Sequence, residues 1–109
     1  MSMSFQRVAF AGTLFFTCAL SAVTAHAADP DRGEDLAWQH RCMTCHGAEG
    51  VTSDARYPHI AGQPSMYLEA RLKYFRDEEE PLNQMNGQAR PLSDEDIADL
   101  AAYFAEQRR

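Results

Sequence analysis

The run Cys42-Met43-Thr44-Cys45-His46 sets the strongest limit on what this chain can become. On one helical turn, positions i, i+3 and i+4 share a face, so both thiols and the imidazole can meet one flat surface. Cys-x-x-Cys-His is the spacing that attaches a c-type haem covalently: each cysteine adds to a vinyl group as a thioether, and His46 ligates the iron from the proximal side. A redox-active or disulfide-forming cysteine pair, or half of a zinc site, would use the same two cysteines. Neither calls for the adjoining histidine, and no second Cys-x-x-Cys is present to complete a zinc tetrahedron.

Residues 1–27 read as a secretory signal peptide. Arg7 supplies the positive start, Val8 to Val23 is an apolar run without a charge, and Ala25-His26-Ala27 offers a small-x-small cleavage site. Cleavage after Ala27 is expected, which places the product in the periplasm and discards Cys18 and His26. An uncleaved membrane anchor is the competing reading; the apolar run is short for a span, and the cleavage site follows it directly. No membrane insertion is expected after cleavage.

The remaining residues, 28–109, amount to one small domain. A chain of roughly 80 residues is short of hydrophobic core, and such domains lean on a disulfide, a metal or a cofactor. Only Cys42 and Cys45 remain, and the haem motif uses both. With Arg7 removed, nine Lys and Arg stand against 16 Asp and Glu, a net charge of −7. That balance argues against nucleic acid and anionic membranes as partners, and it favours a redox protein with a basic or apolar docking patch. Solubility alone would also account for it.

Three main helices are expected, with no strand pattern, repeat or phosphate loop. Asp29 caps the first and Pro30 opens it, and the helix runs from Gly33 to Arg41 into the haem motif. A polar loop rich in Gly and Pro follows, wrapping one side of the haem. Tyr67, Leu68, Ala70, Leu72 and Phe75 make the apolar face of a second helix, about Ser65 to Arg76, with Glu69, Lys73 and Arg76 turned outward. Asp77 to Glu80 and Pro81 end it, and a loop continues through Asn83, Asn86 and Gly87. Ser93 and Asp96 approximate a capping box for the last helix, whose core stripe is Ile97, Leu100, Ala101 and Phe104, with Arg108 and Arg109 complementing its end.

Iron held by one histidine has an open sixth position, and what fills it separates electron transfer from ligand binding or catalysis. Met43 lies inside the motif and cannot reach round the ring. Met66 opens the second helix and reads as a packing residue. Met85, 39 residues beyond His46 in a loop ahead of the last helix, has the freedom to reach the distal side; an ordinary apolar loop residue is the alternative reading. His40 is placed as a surface histidine, and His59 is a rival distal ligand.

Taken in order, Cys42 to Gly50, Pro58 to Gln63, Met85 to Ala89, Leu92 to Ile97 and Leu100 to Phe104 resemble the class I cytochromes c. The similarity is to the small bacterial periplasmic monohaem type, or to one half of a dihaem relative, and covers nearly all of residues 28–109. It implies the all-α cytochrome c fold around one covalent haem c, with Met85 as distal ligand. It also implies that the Pro58 carbonyl accepts a hydrogen bond from His46, that Gly33, Trp38 and Tyr103 form a helix crossing, and that Gln63 and Tyr67 lie near the haem edge. For Tyr67, plain packing serves equally well.

The family often carries a glycine and an arginine after the second helix, where the arginine balances a haem propionate. Here Asp77-Glu78-Glu79-Glu80 follows Arg76, with Arg90 as the nearby substitute. A solvated acidic loop is one reading; a device that lowers the potential and selects a basic partner is the other. The resemblance implies a one-electron carrier and no enzyme. The alternatives are an electron-transfer subunit of a dehydrogenase or reductase complex, and a ligand-binding or peroxidase-like protein with a labile Met85.

Overall fold

The computed structural model describes residue 12 and residues 25–78 and 80–109. Most of the expected leader, with Cys18, lies outside those residues. Five helices make up the described fold: α1 (Pro30–Gln39), α2 (Cys42–His46), α3 (Ser65–Asp77), α4 (Gln84–Ala89) and α5 (Asp94–Glu106). Strands are absent among the described residues, and no helix there is long and apolar enough to cross a membrane. The three long helices are those expected; the two short ones carry the candidate iron ligands.

α1 starts as its sequence dictates. The Asp29 carboxylate accepts from the N–H groups of Asp31 and Arg32 at 3.0 and 3.2 Å, and Pro30 occupies the first turn, where a missing N–H costs nothing. It does not run into the haem motif as one helix. Arg41 adopts a left-handed conformation (φ 59°), and the chain restarts as α2 at Cys42. That conformation costs a Cβ-bearing residue roughly 1–2 kcal/mol, and it lets the motif leave the α1 axis.

α3 matches expectation to within one residue, and its end is more involved than an outward-facing arginine. Arg76 is only 19% exposed: it binds the Asp77 carboxylate at 2.7 Å, the Asp94 carboxylate at 2.7 Å and the Leu92 carbonyl at 3.1 Å. It therefore ties the end of α3 to the start of α5. The expected loop around Met85 contains α4 instead. Asn83 caps it by accepting from the Met85 N–H at 2.9 Å, while Asn86 donates to the Glu80 carbonyl at 2.6 Å. The weak intrinsic helicity of Asn and Gly in Gln84–Ala89 conceals the helix from pattern reading.

α5 has the full capping box, with the Ser93 hydroxyl accepting from Asp96 N–H and the Asp96 carboxylate accepting from Ser93 N–H, each at 3.0 Å. It ends at Glu106, before the two arginines. Arg109 donates to the Ala61 carbonyl at 2.9 Å instead of capping the helix.

The core gathers where α1 and α3 pack on α5: Leu36, Ala37, Leu68, Leu92, Ile97, Leu100, Ala101, Tyr103 and Phe104. At the α1/α5 crossing a Cβ on Gly33 would stand 2.1 Å from the Asp99 carbonyl oxygen and 2.8 Å from the Tyr103 Cβ. Gly33 and Tyr103 thus make the expected crossing, while Trp38 does not join it and is 61% exposed. Met66, read as a packing residue, is 82% exposed. Beside the crossing lies Asp99, fully buried, accepting from Asp29 N–H at 2.7 Å and from Arg32, whose other arm reaches Asp96. His26, assigned to the leader, sits 3.3 Å from both Asp99 and Glu95.

Candidate haem site

α2 delivers Cys42, Cys45 and His46 to one wall of a cavity of about 1170 Å³, larger than the roughly 300–1,000 Å³ typical of small-molecule pockets. Immediately after His46 the chain must turn sharply, and Gly47 (φ 84°) permits it, since a Cβ there would meet the Val51 carbonyl oxygen at 1.9 Å. The following loop folds back, with the Gly50 carbonyl accepting from Ile60 and Ala61, and it is pinned to α5 by Gly62 N–H donating to the Phe104 carbonyl at 2.9 Å. Pro58 is thereby carried beside His46. The imidazole donates Nδ1–H to the Pro58 carbonyl at 3.0 Å, which leaves Nε2 with a free lone pair.

Every site residue expected from the sequence lines this one cavity: Cys42, Cys45, His46, Pro58, Gln63, Tyr67 and Met85. Leu68 and Leu72 from α3, with Leu100, Ala101 and Phe104 from α5, make much of the remaining wall apolar. Met85 comes from α4, an element separate from the one that brings His46. Cys42 and Cys45 are not paired with each other in a disulfide, so both sulfurs are available to a covalent cofactor.

His40 and His59 both line the cavity as well. His59 is exposed and its Nδ1 accepts from Thr52 N–H at 3.1 Å, so its ring serves the loop. His40, expected on the surface, is half-buried and borders the cavity. Sequence reading passed over Tyr57, whose ring meets His46 edge-on at 6.4 Å, and Arg56 and Arg71 in the wall. Arg71 was findable, because it lies four residues after Tyr67 and shares its helical face.

The donor set suits haem c. Two thiols and an imidazole with an open Nε2 share one wall, a thioether comes from a different element, and the rest is largely apolar. No group of three or more His, Cys, Asp or Glu among the described residues could hold a bare metal ion, which removes support from the zinc reading.

The sequence profile of the family described as cytochrome c matches residues 30–107, and the chain belongs to that family. It is 40% identical over 84 residues to cytochrome c-554(548) of Halomonas halodenitrificans, a match covering 74% of this chain and 99% of that protein. It is 35% identical over 96 residues to cytochrome c4 of Pseudomonas aeruginosa, covering 88% of this chain and 47% of the relative. Among solved structures, reduced recombinant cytochrome c4 from Pseudomonas stutzeri superposes with a TM-score of 0.64 at 33% identity, covering 75% of this chain and 47% of that one. The chain thus spans about half the length of cytochrome c4 and nearly all of cytochrome c-554(548). As a member of the cytochrome c family the chain holds haem c covalently.

Proposed function

We propose that this chain is a periplasmic one-electron carrier with a single haem c, in which Cys42 and Cys45 form the thioethers, His46 is the proximal ligand and Met85 the distal one. Haem held there supplies a one-electron couple at iron between the ferric and ferrous states. The observation that carries the reading is the pairing within one cavity of His46, its Nδ1 committed to Pro58, with the Met85 thioether. The Pro58 carbonyl orients the imidazole and raises its basicity. A thioether is soft and neutral, favours ferrous iron and raises the potential. With His46 and Met85 holding the iron, no substrate would need to reach it. Residues 1–27 act as the signal peptide, cleaved near Ala27, and residues 28–109 form the carrier domain. Its partners are redox proteins, for which the acidic surface favours a basic docking patch.

The test is the spectrum of the purified holoprotein. Oxidised protein should show a far-red methionine-to-iron band that Met85→Ala abolishes; a band that survives the substitution overturns the distal assignment. Carbon monoxide binding to reduced wild type at neutral pH would favour a ligand-binding protein with a labile Met85.

The relation to one half of cytochrome c4 supports a second reading, a haem domain that works beside another redox subunit. Gel filtration of native extract separates the two, since a free carrier elutes as a small protein.

A further inference from the structure

The chain carries a net charge of −6, yet among the described residues the charged side chains lining the cavity are three arginines, Arg41, Arg56 and Arg71, and one acid, Glu80. These cations are not equivalent. Arg56 is 79% exposed in its side chain and is neutralised by Asp54 at 2.6 Å. Arg41 sits exposed on the turn between α1 and α2. Arg76, at the end of the helix that bears Arg71, is committed to Asp77, Asp94 and the Leu92 carbonyl. Glu80 is occupied as the acceptor of the Asn83 side-chain amide.

Arg71 differs from all of these. It is half-buried, and no carboxylate among the described residues stands within 4.0 Å of it. Its guanidinium lies 4.8 Å from the Tyr74 ring centroid and 4.6 Å from that of Phe75, which itself lines the cavity. Stacking on two rings holds the charge in place without neutralising it. Tyr67, Leu68 and Leu72 surround its position on the cavity face of α3.

We propose that Arg71 is the uncompensated cation facing the haem in this protein, and that it holds the reduction potential up. Ferric iron carries one more positive charge than ferrous iron, so a fixed cation in a largely apolar wall penalises the oxidised form more than the reduced one. Arg71 thereby opposes any lowering by the acidic residues that follow Arg76. The proposal rests on haem c occupying the cavity and is independent of which side chain is the distal ligand.

Spectroelectrochemical titration of holoprotein at pH 7 tests it. Arg71→Gln should shift the reduction equilibrium roughly tenfold toward ferric, a midpoint lower by 59 mV for one electron. Arg71→Met, which keeps an unbranched stem against Tyr74 and Phe75, should give the same shift, and Arg71→Lys should restore most of it. An unchanged midpoint in the Gln and Met variants overturns the proposal, as does an equal fall in the Lys variant, which would make Arg71 a packing residue. In all three variants the far-red band should match wild type. Absence of that band from wild type itself would overturn the Met85 assignment and leave the Arg71 comparison intact.

Discussion

Asp99 is a fully buried acid whose carboxylate accepts from the Asp29 N–H and the Arg32 guanidinium, both reaching across from the start of the domain; the His26 contact beside them leaves with the proposed leader. Burial by itself would raise its pKa, and these hydrogen bonds outweigh burial and hold it below the usual carboxylate range. Asp96 is also lowered, first by the Ser93 backbone N–H and further by the Ser93 side chain and Arg32. A lowered folded-state pKa stabilises the fold above the unfolded value, about 4, and that contribution is lost as pH falls through the folded values. Melting temperature should therefore be level near neutrality and fall below about pH 4. Asp99→Asn should cost about 1–3 kcal/mol at pH 7, less than a fully buried pair because Arg32 remains 41% exposed, and should flatten the acid slope in thermal melts followed by circular dichroism. A melting profile with the wild-type acid slope in Asp99→Asn would remove Asp99 from that account.

At the scale of elements, the α1/α5 crossing is the joint on which the site depends, because α1 leads into the turn that presents α2. Gly33→Ala would put a methyl group 2.1 Å from the Asp99 carbonyl oxygen, which is backbone and cannot rotate aside. The expected cost is about 3 kcal/mol, at the upper end for overpacking, read as a lowered denaturation midpoint. Some element boundaries were legible locally. Asp29 with Pro30, and Ser93 with Asp96, satisfy orphan N–H groups within one turn, so caps and starts agree with the structure to the residue. The break at Arg41 and the presence of α4 were not legible. The first needs a left-handed arginine with no glycine to announce it, and the second is assembled from Asn83, Glu80 and Asn86 contacts around a segment of poor helix propensity.

For the whole molecule, a small core borders a cavity of about 1170 Å³ that a large apolar cofactor would complete. Cys42→Ala/Cys45→Ala protein, unable to hold haem covalently, should lose much of its helical circular dichroism and its cooperative melting; native-like melting without haem would show the core sufficient alone. The Cys42–His46 spacing, the capped starts of α1 and α5 and the apolar stripe of α5 were readable in the sequence because each is decided within a turn or two of chain, whereas of the expected α3 face Ala70 is exposed and borders neither core nor cavity. All seven expected site residues border one cavity. What each side chain faces was decided by packing between distant segments. Trp38 and Met66 point to solvent, His40 turns to the cavity, Arg76 locks α3 to α5, Arg109 reaches Ala61, and Arg71 is left in the wall with no carboxylate among the described residues beside it. The physical reason is range: caps and periodicity are settled by neighbours a few residues away, whereas burial and charge compensation are settled by groups tens of residues apart, which meet only when the chain has folded.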